Sequence, residues 1–237
     1  MRFLKKILIL SQSIIWIYGL LRGVAANIEL LPLLKKIKKV NTLIDIGSNK
    51  GQFILLCLNF FPNLTIYSFE PIKEIFKKQK NFFRFKTKMN LFNFGIGNYN
   101  KNLDFFITKR KDSSSFLTYN GSSHHNRDYL LTEKRNIRIR KLDQVLKNKN
   151  LVKPILIKID VQGYELEVLK GSKKMLSKID YLLIEVSKNQ MYNKQATNRE
   201  IVTFLKNKKF TILKSSKWMR IKNTQFIQRD ILLKRKT

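Results

Sequence analysis

Residues 43–53 read "LIDIGSNKGQF". An apolar run ends in Asp45, and two glycines, Gly47 and Gly51, follow with only small or polar residues and Lys50 between them. This pattern reads as a buried strand that feeds a tight turn with bare backbone. Such a turn serves a nucleotide-like cofactor, a phosphate, or nothing beyond the turn itself. Taken alone, Gly-x-x-x-Gly does not choose among them.

The flanking sequence alternates. "TLIDIG" is of strand length, "GQFILLCLNFF" reads as a helix, and Pro62-Asn63 marks a turn. "LTIYSFE" is a second strand, rich in β-branched and aromatic residues. "PIKEIFKKQKNFFRF" is a second helix, with Pro71 in its first turn and Ile72, Ile75, Phe76 and Gln79 on one face. "MNLFNFGIGN" is a third, shorter strand ending in glycines. The order βαβαβ implies a parallel sheet with helices on its faces.

Further on, "NLDFFIT" reads as a strand. "KRKDSSSFLTYNGSSHHNRD" is a long polar loop of the kind that carries function. "NIRIRKLDQVL" alternates and turns helical near Leu142 and Asp143. The pattern then resumes with "PILIKIDV" as strand, "YELEVLKGSKKML" as helix and "IDYLLIEVS" as strand. "NREIVTFLKNK" is a helix opened by Asn198 as its N-cap. "FTILKS" and "QFIQRDILLKR" close the chain as strands, the last alternating as an antiparallel strand does. The reading is one α/β domain over residues 40–237 with a helical extension over 1–39.

Ligands of open parallel sheets bind beyond the carboxyl ends of the strands. The glycine segment lies at the first such end. Glu70 closes the second strand, 19 residues after Gly51, near the ~20-residue spacing of a ribose-binding acid. Gly95-Ile96-Gly97 closes the third, where a flat base can slide against backbone. A P-loop requires Gly-x-x-x-x-Gly-Lys-Ser/Thr, and a dinucleotide fingerprint requires Gly-x-Gly-x-x-Gly; Asn49 and Gln52 break the latter. A nucleoside without pyrophosphate fits best.

"LIDIGSNKGQF", "YSFEP", "FNFGIGN", "SSSFL" and "LIKIDVQGYELEVLKGS", in that order, resemble the FkbM family of S-adenosylmethionine (SAM)-dependent methyltransferases, as does "RGVAANIELLPLL" ahead of them. The resemblance implies a Rossmann-like class I methyltransferase fold with a mostly parallel seven-stranded sheet and an antiparallel last strand. It implies that Asp45 orders the glycine loop and that Gly47, Ser48, Asn49 and Gly51 cradle the methionine part of SAM. Glu70 would bind the ribose, and Gly95 and Ile96 the adenine. Asp160, ending the fourth strand, would stand beside the sulfonium. Gln162, a candidate substrate contact, occupies a position where Glu is the commoner family residue.

Methyl transfer to an alcohol needs alignment of acceptor and methyl carbon, and a group that takes the hydroxyl proton. Asp160 is the candidate base, with SAM binding or turn capping as its other reading. Glu165 is a candidate pocket residue or a helix-dipole partner, and Glu185 ends the fifth strand on the same edge. Ser113, Ser114, Ser115, His124 and His125 lie in the polar loop; the serines can bind a polar acceptor or the cofactor, or form a turn. The two histidines read as an exposed pair, with a general base drawn from one of them as the second reading.

Net charge is +32 with a pI near 10.3. The lysines are dispersed, which reads as solvated surface; a polyanion partner is the other reading. The leading function is therefore an O-methyltransferase acting on a small-molecule or carbohydrate hydroxyl, with an RNA-binding protein or RNA methyltransferase as the alternative and a catalytically silent SAM-fold scaffold at a membrane as a third reading. "DVQGYE" stands where DNA amino-methylases carry a Pro-Pro-Tyr-like motif. Cys57 is the only cysteine, so no intramolecular disulfide or Cys-based metal cluster can form. Residues 7–21 would span only about 22 Å as a helix, short of the ~30 Å hydrocarbon core. A helix packed on the domain is expected there; the other readings are a peripheral helix that touches a membrane through Trp16 and Tyr18, and a signal or anchor segment ending at Val24-Ala25-Ala26. Dependence on SAM points to a cytoplasmic protein.

Overall fold

A computed structural model describes residues 3–121 and 126–236. The chain begins with α1 (Phe3–Leu10), α2 (Ile14–Leu21) and the short α3 (Leu31–Leu34). There follow β1 (Thr42–Ile46), α4 (Gln52–Phe60), β2 (Thr65–Phe69), α5 (Lys73–Phe82) and β3 (Met89–Phe92). The middle contributes β4 (Gly95–Ile96), β5 (Lys101–Thr108), β6 (Leu131–Arg140) and α6 (Leu142–Val145). The last part adds β7 (Ile155–Ile159), α7 (Glu165–Lys170), α8 (Lys173–Leu176), β8 (Tyr181–Ser187), α9 (Asn198–Lys206), β9 (Phe210–Ser215), β10 (Met219–Arg220) and β11 (Ile227–Arg235).

The main sheet runs β3-β2-β1-β7-β8-β11, with β9 and the two-residue β10 both pairing with β11. Strands β3 through β8 of this path are parallel, and β11 runs antiparallel to both β8 and β9. This is the expected mostly parallel sheet with an antiparallel last strand, enlarged by β10.

Side-chain alternation sorts the core into two layers. Leu43, Leu156, Leu183 and Leu232 face one way, against α2 and α4 residues including Trp16, Ile54 and Leu58. Ile44, Ile157, Ile184 and Ile231 face the other, against Val168, Leu169, Ile201 and Leu205 of α7 and α9. Both faces of the central strands are covered, so β1 and β7 are buried at every position.

Four details depart from the sequence reading. Gly95 and Ile96 do not extend the third strand; they form β4 of a separate three-stranded sheet, β4-β6-β5. Pro71 precedes α5, which starts at Lys73. The cap of α9 is Thr197, which forms a reciprocal capping box with Glu200, so Asn198 is the first helical residue. The N-terminal apolar stretch is two helices broken at Ser11–Ser13, and Trp16 is buried, its indole N–H donating to the Leu55 carbonyl at 3.1 Å. Tyr18, by contrast, is exposed.

Candidate active site

The carboxyl ends of β1, β2, β7 and β8 open into one cavity of about 280 Å³. Its wall includes Gly47, Ser48 and Asn49 after β1, Glu70 after β2, Asp160 and Gln162 after β7, and Glu185 of β8.

The glycine loop is held by β2 and α5. The N–H groups of Gly47 and Ser48 donate to the Phe69 carbonyl at 3.0 and 3.1 Å. Gln79, fully buried on α5, donates to Ser48 Oγ at 2.9 Å and accepts from Ser68 Oγ at 3.1 Å. Gly47 has φ +78°, and a Cβ there would lie 1.9 Å from the Asp160 carbonyl oxygen. Only glycine allows β1 to leave the sheet this close to the end of β7. Gly51 caps α4, also in the left-handed region.

Glu70 is buried and accepts from the Asn49 N–H at 2.9 Å on one carboxylate oxygen and from the Ile72 N–H at 2.8 Å on the other. Burial pushes its pKa up to about 7, against the lowering effect of these two hydrogen bonds. Each oxygen retains a lone pair for a further donor. Asp45 is fully buried beneath the loop, off the cavity wall, and neither carboxylate oxygen has a hydrogen-bond partner among the described residues. Desolvation raises its pKa to about 6, opposed by Lys158.

The β7 end is a charged cluster. Asp45 and Lys158 are register partners on β1 and β7. Lys158 is buried, and its ammonium donates to Asp160 Oδ2 at 2.9 Å. Burial pulls the lysine's proton affinity down, but Asp160 and Asp45 outweigh it, and the ammonium stays charged. Enclosure likewise pushes the Asp160 carboxyl up; Lys158 and hydrogen bonds from Lys158 and Gln162 more than reverse this, so Asp160 is held ionised.

Gln162 is the hub of the far wall, in the left-handed region at φ +54°. Its amide donates to Asp160 Oδ1 at 2.9 Å and reaches Glu185 Oε2 at 3.3 Å. The Tyr192 hydroxyl lies within hydrogen-bond reach of Gln162 Oε1 (3.1 Å) and the Ser113 carbonyl (2.8 Å). Gln228 donates to Glu185 Oε1 at 2.8 Å. Burial, and after it the charges of Asp160 and Asp230, push the Glu185 carboxyl well above the usual range.

Ser113 and Ser114 line the cavity, as do Gly95 and Ile96. Ser115 does not: its hydroxyl donates to the Gln162 carbonyl at 2.6 Å and so braces that turn from behind. Glu165 also lies behind the wall, accepting from the Val161 and Gly163 N–H groups at 3.2 and 3.0 Å. Burial raises its pKa to about 7. His124 and His125 lie outside the described residues. Lys158, Tyr192 and Gln228 also reach this constellation, and Tyr192 and Gln228 belong to none of the motifs of the sequence. Only Lys158 carried a signal, as a charge inside an otherwise apolar buried strand.

The family model of the methyltransferase FkbM domain matches residues 45–212. The hexuronic acid methyltransferase AglP of Haloferax volcanii is 26% identical over 177 residues, covering 74% of this chain and 67% of that protein. The 2-O-methyltransferase NoeI of Sinorhizobium fredii is 26% identical over 185 residues, covering 75% of each. The solved structure of M. capricolum TrmK with S-adenosyl-homocysteine overlays with a TM-score of 0.48 at 12% identity, covering 87% of this chain and 67% of that one. The RNA-directed alternative suggested by the basic composition is not favoured by the family match.

Proposed function

This chain belongs to the FkbM methyltransferase family, and from that premise we propose that it O-methylates a hydroxyl of a carbohydrate acceptor: a glycan, a lipid-linked sugar or a glycosylated metabolite. The observation that carries the reading is the cavity itself. It sets Glu70 and the glycine loop on one side and the Asp160–Gln162–Glu185 constellation on the other. The names of the two relatives, a hexuronic acid methyltransferase and a 2-O-methyltransferase, support a sugar hydroxyl as the acceptor.

The residues present fit SAM. Spare acceptor capacity on Glu70 suits the ribose hydroxyls, and the orphaned, buried Asp45 carboxylate adds negative potential beneath the loop toward a cationic ligand. Gly47, Ser48 and Asn49 would cradle the methionine end, with Gly51 closing the loop against Phe83 and Gln79 off the cavity wall, and Gly95 and Ile96 would flank the adenine. Bound SAM supplies an electrophilic methyl group on a sulfonium.

Asp160, held ionised by Lys158 and Gln162, accepts the acceptor hydroxyl's hydrogen bond and takes its proton as the oxygen becomes acidic in the transition state. Gln162 fixes the Asp160 carboxylate, and Ser114 offers polar contact on the acceptor side. Glu185, with its high proton affinity, forms the second carboxyl of the pocket.

The test is incubation with methyl-tritiated SAM and uronic acid or neutral sugar acceptors. Alkali-stable label in the sugar supports an ether-forming O-methyltransferase. Label in RNA and none in carbohydrate would overturn the proposal.

A further inference from the structure

α2 is apolar all round, yet only one of its faces is committed to the domain. Trp16 is buried, and Gly19 packs so closely that a Cβ there would lie 2.2 Å from Leu55 Cδ2. The opposite face carries Ile14, Ile17, Tyr18 and Leu21, at the i, i+3, i+4, i+7 spacing of one helical stripe. Ile14 is 88% exposed and Leu21 80%. Ile7 and Leu8 of α1 extend the patch. A helix whose outward stripe is apolar needs an apolar environment there.

Beside the end of this stripe lies a second pocket, of about 340 Å³, lined by Tyr18, Arg22, Lys50, Lys78, Asn81 and Arg84. Among the described residues no carboxylate pairs with any of its four cations. Arg22 lies over the Tyr18 ring at 5.4 Å, at the join of cations and stripe. An apolar face bordered by unpaired cations matches acyl chains bordered by phosphate.

We propose that the α2 stripe and the Arg22–Lys50–Lys78–Arg84 pocket together form a docking surface for an anionic lipid bilayer, the stripe entering the acyl boundary and the pocket receiving a lipid phosphate. Charge decides against a second copy of this chain as the occupant, because at +32 each copy repels the other. Lys50 stands inside the glycine loop, so docking sets the cofactor loop next to the lipid surface. The inference does not rest on methyl transfer, since docking is read without acceptor or cofactor.

The experiment is sedimentation of the whole chain with vesicles of phosphatidylcholine, with or without phosphatidylglycerol, at about 150 mM salt. Binding to the anionic vesicles is expected. Ile14→Ser with Leu21→Ser leaves net charge unchanged, and should lower partitioning by about five-fold or more. Arg22→Glu, Lys78→Glu and Arg84→Glu together should lower it by about ten-fold or more, against less than about two-fold for Lys147→Glu, Lys206→Glu and Lys208→Glu on the α6 and α9 side. Circular dichroism checks that each variant is folded.

Equal losses in the two charge-reversed triples would overturn the proposal in favour of diffuse attraction. An unaffected Ile14→Ser/Leu21→Ser variant would overturn it too. So would pocket-dependent binding of inorganic phosphate or an RNA oligonucleotide with vesicle binding unchanged in the Arg22/Lys78/Arg84 variant. Self-association abolished by the serine pair, without vesicle binding, would assign the stripe to a dimer.

Discussion

The Gln162 side-chain amide donates to Asp160 Oδ1 at 2.9 Å and reaches Glu185 Oε2 at 3.3 Å, so one neutral group spans two carboxylates of very different proton affinity. Lys158 on the other oxygen of Asp160 keeps that carboxylate charged. The strained backbone of Gln162, the Ser115 hydroxyl on its carbonyl and Tyr192 beside its side chain fix the arrangement.

Asp160→Asn keeps the shape and removes the charge. A lost base in the transition state costs about 100-fold or more in kcat, while SAM affinity should change by less than about three-fold. Steady-state rates and calorimetry on the same variant separate the two roles. An equal loss in both would reassign Asp160 to cofactor binding.

Glu70 makes SAM affinity depend on pH. Its carboxyl has a pKa of about 7 before ligand binds. Ribose hydroxyls donate to the ionised form, so binding lowers that pKa. Affinity should therefore rise with pH, by up to about ten-fold per unit below 7, and level off above it. Titrations between pH 5.5 and about 8.5 check this, and Glu70→Gln should flatten the profile while weakening binding.

Glu165 should set part of the stability profile. Its folded pKa, about 7, lies above the ordinary 4.5. Its favourable contribution is thus complete below pH 4.5 and is lost as pH rises through 7. In Glu165→Gln the side-chain oxygen can still accept from Val161 and Gly163, but the titration is gone. Relative to its difference from the parent at pH 5, the variant should gain roughly 2–3 kcal/mol at pH 8. Urea unfolding at the two pH values measures it.

Gly47→Ala places a methyl group against the Asp160 carbonyl in a left-handed conformation. The backbone strain alone costs about 1–2 kcal/mol, and the overlap adds to it. A fall in Tm of about 4–8 °C is expected, with SAM affinity reduced because the loop must move. Differential scanning calorimetry reads the first and SAM titration the second.

The main sheet was legible because its central strands are continuous apolar runs that end in glycines or acids. Those same ends put Glu70 and Asp160 on the cavity wall, whereas Asp45 lies beneath the loop and off that wall. The second sheet was not legible as a unit. Much of β6 is exposed and polar, and its pairing with Gly95 and Ile96 joins segments far apart in the chain. Lys158 hid inside "ILIKI" because a strand pattern does not reveal that Asp45 lies beside it in the adjacent strand. Tyr192 and Gln228 reach the site from loop and antiparallel segments that carry no motif. Ser115 and Glu165 were recognised as polar groups near the site, but only the folded chain shows that they brace Gln162 and its turn from behind.

The most direct measurement of the central claim is isothermal titration of the intact protein with SAM, in parallel with Glu70→Ala. Saturable binding at one site per chain is expected, weakened by about ten-fold or more when the ribose-facing carboxylate is removed. Absence of binding, or binding of equal strength in the folded Glu70→Ala variant, would contradict the account.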